Sequence, residues 1–459
     1  MKLFGTSGIR GYIDEKLRPE NVAKIGLAIA KFFGENSLIL VGYDHRYQSI
    51  PIKLALESGL LAGGVDVIDV GLMPTPGVLH VLKYIGADGA VVVTGSHTPP
   101  DIDGILVFKY DTSELSHEEE REIEKIYLKE NFNRANWKNL GTIEYIEDAS
   151  LIYQESVLKL IKLNKVEGRK IVVDSGNSVA SGILKMIFQS ANIDVVAIND
   201  YMDPEFRGRD PQPTIENLQK MGKVAKAIRA DISVGVDGDG DRAIFGDELG
   251  NIYWGDVTGT IFVKKLLREG VKKFVMTINT SSIPLIMIER AGGKVFFSKV
   301  GPPSIAYMMK KNNAPFGFEE SGKFVWSDAI YYGDAALATL RLLEILEEEG
   351  KSLSELVKEL PQSLMIKKNI PCPDELKQKV LEEAYSLVIK EIPKEEIREI
   401  YTFDGYKIML KDYSWILLRP SGTEPVFRVF AESLSSEKAK WLARIGENAV
   451  KSVLEKLRV

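Results

Sequence analysis

The sequence predicts an α/β fold: three related α/β domains with mixed, largely parallel sheets, and a smaller C-terminal α+β domain. Three observations predict it. One strand and helix order returns three times, each return ends in a polar loop directly after its third strand, and the order breaks near residue 362. Strands that alternate with helices imply parallel sheets covered on both faces. At 459 residues the chain exceeds what one hydrophobic core organises, and length alone suggests about three domains.

The first copy opens with residues 38–42, Leu-Ile-Leu-Val-Gly, an aliphatic run that stops at glycine and so reads as a buried strand. A helix over about 51–62, a strand at 65–70, a helix over about 76–85 and a strand at 90–94 follow, and then Gly95-Ser96-His97-Thr98-Pro99-Pro100. The second copy runs through strand 170–174, a helix to about 190, strand 194–198, a helix over about 214–229 and strand 232–236, into Asp237-Gly238-Asp239-Gly240-Asp241-Arg242. The third has strand 274–278, a helix to about 291, strand 294–298, a helix over about 302–312 and strand 314–318, ending in Glu319-Glu320-Ser321-Gly322-Lys323. Beyond 362 come a helix (about 373–391), strands at 406–410 and 415–418, the loop Arg419-Pro420-Ser421-Gly422-Thr423-Glu424-Pro425, a strand at 426–431 and a final amphipathic helix from about 436. Four domains, 1–148, 149–249, 250–362 and 363–459, therefore divide the chain better than three. In open α/β sheets ligands bind outside the carboxyl ends of the strands, where all three polar loops fall, so three chemistries can point into one cleft.

Composition narrows the chemistry. The chain is 45% hydrophobic, 27% charged and 9% aromatic, as soluble globular proteins are. No apolar run of about 18 residues and no signal-peptide stretch is present, so no membrane partner and a cytoplasmic location are expected. A net charge of −6 argues against nucleic acid as a partner. The single cysteine, Cys372, excludes an internal disulfide or thiolate cluster, and His45, His80, His97 and His117 have no metal-ligand spacing.

Asp237, Asp239 and Asp241 alternate with glycines, so three carboxylates can converge without bulky neighbours, a hard-oxygen site suited to Mg²⁺. With Glu248 at the twelfth position the run imitates a calcium EF-hand, but Arg242 stands where that loop needs glycine and a strand precedes it. Gly238, Gly240 and Ala243 match G-x-G-x-x-A, yet the acidic neighbours would repel a dinucleotide pyrophosphate. The metal reading outweighs both, and also outweighs a plain acidic turn. Ser96 needs a base or a cation to become a nucleophile, and a metal held by the second copy could polarise a phosphate bound there. Arg419, Ser421, Gly422, Thr423 and Arg428 place two hydroxyls and glycine N–H groups between two guanidiniums, a phosphate cradle. There is no Walker sequence. Glu319 and Ser321 could hold sugar hydroxyls, and Lys323 could donate to phosphate, or move a proton if its pKa were lowered. A helix cap is the plain alternative for that loop.

Taken together with Phe4-Gly-Thr-Ser-Gly-Ile-Arg-Gly11, these loops resemble, in order and over the full length, the α-D-phosphohexomutase superfamily, most closely its archaeal phosphomannomutase/phosphoglucomutase and phosphoglucosamine mutase branches. The resemblance implies four domains around a central cleft and reversible transfer of phosphate between O1 and O6 of a hexose phosphate, the small-molecule partner, through a hexose 1,6-bisphosphate. It implies that Ser96 is the phosphoserine and completes the Mg²⁺ site of Asp237, Asp239 and Asp241. Arg10 and Arg242 match arginines that stabilise the moving phosphoryl group, His97 and Lys323 further catalytic positions, and Glu319 and Ser321 the sugar-recognition pair. Arg419, Ser421, Gly422, Thr423 and Arg428 match the site for the phosphate that stays. Four positions depart from the family pattern: Leu106 replaces a lysine, Asp103 an asparagine, Lys323 a histidine, and Thr98 an asparagine. Leucine cannot transfer a proton or bind an anion, so that lysine's role is absent or falls to Lys109 or Lys323, while His97 orients or transfers a proton. Three alternative readings share these residues: a phosphoglucosamine mutase, a metal-dependent sugar-phosphate phosphatase, and a non-catalytic sugar-phosphate sensor. Monomer and homo-oligomer are equally compatible with the pattern.

Overall fold

Three sheets on one plan carry the repeat in the computed structural model, which describes residues 3–5, 7–422 and 424–457. In the first, Leu38–Tyr43 lies between and parallel to Asp66–Leu72 and Gly89–Val93, and Asp103–Lys109 pairs antiparallel with Gly89–Val93. In the second, Lys170–Asp174 lies between Asp194–Ile198 and Ile232–Val236, with Ala243–Asp247 antiparallel beyond. In the third, Lys273–Thr277 lies between Lys294–Ser298 and Phe316–Phe318, with Phe324–Trp326 antiparallel beyond. Each polar loop is thus the hairpin between the third, parallel strand and a fourth, antiparallel one. The sheets are mixed for that reason.

Alternation along the strands feeds two cores. In the first sheet Ile39, Val41, Val91 and Val93 pack with Ile25, Ile29, Leu56 and Leu60 on one face. Leu40, Val92, Leu106 and Phe108 join the larger cluster on the other. Helices Pro19–Phe33 and Ser49–Ala62 cover the first of these faces. The expected helix over 214–229 begins only at Gln219; residues 215–218 form turns instead. Likewise the helix expected from 373 begins at Lys377, after a single 3₁₀ turn, Asp374–Leu376.

The C-terminal sheet is antiparallel throughout, with Leu364–Pro371, Val426–Ser433, Trp415–Pro420, Tyr406–Leu410 and Ile397–Tyr401 adjacent in that order. Helices Lys377–Glu391 and Ser436–Leu457 cover one face. The other docks on the third domain. There the buried Glu432 carboxylate accepts from the Ser281 hydroxyl (2.5 Å), the Ser282 amide (2.7 Å) and Trp415 Nε1 (2.6 Å). Lys407 Nζ donates to the Ile278 carbonyl at 2.7 Å. Among the described residues no helix is long and apolar enough to cross a membrane.

Candidate active site at three hairpin loops

Ser96 sits on the first hairpin loop in the left-handed region, φ 52°, a conformation that costs a non-glycine residue roughly 1 kcal/mol. Its amide donates to Thr94 Oγ1 at 2.8 Å, and its hydroxyl donates to Asp237 Oδ2 at 3.2 Å. The two loops touch at the backbone as well: a Cβ on Gly238 would lie 2.1 Å from the Ser96 carbonyl oxygen. Glycine at 238 is therefore a packing requirement.

Asp237, Asp239 and Asp241 are all buried, each offering an oxygen within 4.8 Å of the others. Asp237 Oδ1 accepts from the amides of Asp241 (3.1 Å) and Arg242 (3.2 Å), and Asp239 Oδ2 from Thr75 Oγ1 (2.7 Å). Asp239 Oδ1 and Asp241 Oδ1 are buried with no hydrogen-bond partner. Burial, and then repulsion from the other aspartates, pushes Asp237 and Asp241 above the usual carboxylate range. Unpartnered buried oxygens on mutually repelling carboxylates fit a divalent cation with oxygen ligands.

Positive charge closes around this group. Arg242 Nε is 3.4 Å from Asp237 Oδ2 and 3.9 Å from Asp241 Oδ1. Arg10 donates to the Thr94 carbonyl beneath the Ser96 loop. His97 Nδ1 accepts from Arg242 at 3.0 Å and lies 3.2 Å from Ser96 Oγ. Burial, reinforced by Arg242, Arg10, Lys323 and Arg46, holds His97 well below its ordinary pKa, so it is a neutral imidazole. Lys323 Nζ is 2.5 Å from Asp241 Oδ2 and 4.8 Å from the centre of the Tyr332 ring. Burial is the largest influence and opposes its charge, but Asp241, Glu319 and Asp239 together outweigh it and lift the pKa. The lowered pKa under which Lys323 would move a proton is not found; it is a paired ammonium. Lys109 is also occupied, with Nζ 2.9 Å from Glu119 Oε1. Ser321 donates to Glu319 Oε1, leaving Glu319 Oε2 buried without a partner, an acceptor suited to a ligand hydroxyl.

Leu106 lies inside the core, opposite Val92. Asp103 is buried too, accepting from the Ser49 hydroxyl at 2.7 Å, and its carboxyl is pushed up to about 7 by burial and by Asp44.

The C-terminal loop is separate from this cluster. Arg419 Nε is 2.9 Å from Asp404 Oδ1, and Arg428 pairs with Glu424, so internal carboxylates engage both guanidiniums expected to flank an anion. Ser421 donates its amide to the Val426 carbonyl at 3.0 Å, Gly422 is exposed, and Thr423 lies outside the described residues. Lys377, which sequence reading passed over, supports the loop through the carbonyls of Ser421 and Glu424, both at 2.6 Å.

Sequence reading also missed Thr75, Tyr332 and Glu114, which approach the site from outside the three hairpin loops. Glu114 accepts from Ser7 Oγ at 2.7 Å; burial pushes its carboxyl up to about 7, against Ser7, Lys323 and Arg10. Arg46 and Asp44, in the turn after the first strand of a repeat, were passed over as well.

Known families settle the kinship. Models described as phosphoglucomutase/phosphomannomutase match in four parts: α/β/α domain I over residues 1–134, domain II over 151–250, domain III over 254–364 and the C-terminal domain over 368–445. The chain belongs to the phosphoglucomutase/phosphomannomutase family. As a member of this family, within the α-D-phosphohexomutases, it is an isomerase that acts as a phosphotransferase mutase. It is 36% identical to a phosphoglucosamine/phosphogalactosamine mutase of Sulfurisphaera tokodaii, over 99% of each chain. Identity is also 36% to a phosphoglucomutase/phosphomannomutase of Thermococcus kodakarensis, again over 99% of each. Among solved structures, a phosphoglucomutase/phosphomannomutase family protein from Burkholderia thailandensis superposes with a TM-score of 0.86 at 26% identity, over 98% of this chain and 97% of that one.

Proposed function

We propose that this mutase moves phosphate reversibly between O1 and O6 of mannose or glucose phosphate, with Ser96 as the phosphoserine and hexose 1,6-bisphosphate as intermediate. The observation that carries this reading is the Ser96 hydroxyl 3.2 Å from Asp237, at the edge of a buried aspartate triad. Phosphoserine gives its phosphoryl group to the free sugar hydroxyl: the bond from phosphorus to Ser96 Oγ breaks, a bond to the sugar oxygen forms, and the proton that the sugar hydroxyl gives up ends on Ser96 Oγ. The bisphosphate then turns over and returns its other phosphate to Ser96. Asp237, Asp239 and Asp241, with the phosphate of Ser96, would hold Mg²⁺, which when bound supplies charge neutralisation for the phosphoryl oxygens. Arg10 and Arg242 stabilise the moving group, and neutral His97 orients the serine side of the site. Glu319 and Ser321 receive sugar hydroxyls, and the Arg419 to Arg428 loop, Thr423 included, takes the stationary phosphate once Asp404 and Glu424 give up their arginines.

Native mass spectrometry should find one phosphate on Ser96, and Ser96→Ala should lose nearly all turnover; a fully active alanine variant would sink the reading. Inorganic phosphate released in place of isomerised sugar phosphate would make the protein a phosphatase. A 2-amino sugar is the second reading, favoured by the equal identity to the Sulfurisphaera tokodaii relative. Relative kcat/KM for mannose, glucose and glucosamine 1-phosphates decides between them. The functional units are taken as 1–148, 149–249, 250–362 and 363–459, in a cytoplasmic enzyme.

A further inference from the structure

Two buried guanidiniums hold the backbones of the two loops that meet at Ser96 and Asp237. Arg46 is 2% exposed. Its Nε is 3.2 Å from Asp44 Oδ2. One terminal nitrogen donates to the carbonyls of Pro99 (2.5 Å) and Ile102 (3.1 Å), the other to those of Ser96 (2.8 Å) and Thr98 (2.9 Å). Asp44 in turn accepts from Thr94 Oγ1 at 2.8 Å and from the Gly95 amide at 3.0 Å. The turn after the first strand of the sheet is therefore tied to the loop after its third.

The second domain repeats the device. Arg209 Nε is 3.0 Å from Asp174 Oδ1, and the same guanidinium donates to the Asp174 carbonyl (3.1 Å) and to the carbonyl of Val236, the residue before Asp237. Both staples need a neighbouring glycine. A Cβ on Gly95 would lie 2.3 Å from Arg46 Nε, and one on Gly176 2.6 Å from the guanidinium carbon of Arg209.

We propose that Arg46 and Arg209 are positioning residues for phosphoryl transfer, each a planar fork anchored on an aspartate that sets the backbone from which Ser96 or Asp237 is presented. The proposal rests on the phosphoserine reading. Lysine would keep the charge beside Asp44 or Asp174, but a single ammonium cannot span the four carbonyls that Arg46 gathers. Small misplacement of reacting groups costs on the order of 100-fold in rate.

The test compares Arg46→Lys and Arg209→Lys with the parent in kcat, KM, thermal midpoint, and the rate at which Ser96 takes up phosphate from glucose 1,6-bisphosphate. The expected result is a fall in kcat and in phosphate uptake of about 10- to 100-fold per folded molecule, with KM changed less than about threefold. Arg46 acting on folding alone would lower the midpoint and leave kcat per folded molecule within twofold of the parent, which overturns the proposal. Should Arg46→Lys not fold, Asp44→Asn keeps the shape and loosens the anchor; an unchanged kcat there overturns the proposal too. If Ser96→Ala is active, the phosphoserine reading itself has failed. If Ser96→Ala is inactive while the lysine variants are normal, only the positioning role has.

Discussion

Lys323 Nζ lies 2.5 Å from Asp241 Oδ2, so a cation of the protein already stands against one of the three carboxylates that would hold a metal. The two positive charges compete for one carboxylate. Lys323→Met removes one of them, and should lower the Mg²⁺ concentration needed for half-maximal binding about tenfold, near 1.4 kcal/mol. Turnover should fall at least about tenfold, since a buried positive charge beside the proposed transfer site is lost with it. Calorimetric Mg²⁺ titration beside an activity titration measures both, and unchanged metal affinity would remove Lys323 from the metal's surroundings.

Asp237 and Asp241 bind protons more tightly folded than unfolded, because burial and repulsion from neighbouring aspartates raise both pKa values. Groups of that sign stabilise the fold below their unfolded value, near 3.8, and withdraw that support as pH rises toward the folded one. Metal-free protein should therefore melt lower at pH 7 than at pH 5, with Mg²⁺ restoring the difference. Asp237→Asn should lessen both the pH slope and the Mg²⁺-induced rise, and cost activity more than about 100-fold. Differential scanning calorimetry with and without chelator reads the first two.

Glu114 offers the same test away from the aspartates. Its carboxyl is pushed up to about 7 by burial, from an ordinary 4.5, so its contribution is intact below pH 4.5 and lost between 4.5 and 7. Glu114→Gln keeps an acceptor for Ser7 and cannot ionise. It should lose on the order of 3 kcal/mol less stability than the parent between pH 5 and pH 8. Urea unfolding at the two pH values measures this; parallel losses in the two proteins would show that Glu114 ionises freely.

Gly238→Ala forces a methyl group to within 2.1 Å of the Ser96 carbonyl, which cannot retreat while Arg46 holds it. An overpacking cost of about 1–3 kcal/mol in stability is expected, with kcat down about tenfold or more. Equilibrium unfolding and steady-state kinetics on the one variant separate the two effects.

The parallel strands were legible because their branched residues are buried on both faces and run together, as in Lys170–Asp174 and Ile232–Val236. Their antiparallel companions were not: Phe324–Trp326 has three residues, and Asp103–Lys109 begins inside a polar motif. Helix Pro19–Phe33 was passed over, although proline at its first position and apolar residues at 22, 25 and 29 mark it. The aspartate triad was readable because its three carboxylates are local in sequence. Arg46 was not, since its partners are carbonyls some fifty residues away, and a carbonyl leaves no mark on the identity of its residue.

A single apolar cluster contains Leu40 and Val92 of the first domain, Ile171 and Phe245 of the second, Phe274 and Leu343 of the third, and Trp415 and Phe430 of the fourth. A chain whose plan repeats like beads has therefore lost the independence of its beads. Cutting the chain after residue 362 would bare an oily scar on the third domain where Trp415 and Phe430 now lie, and the remainder would be a sticky fragment prone to clump.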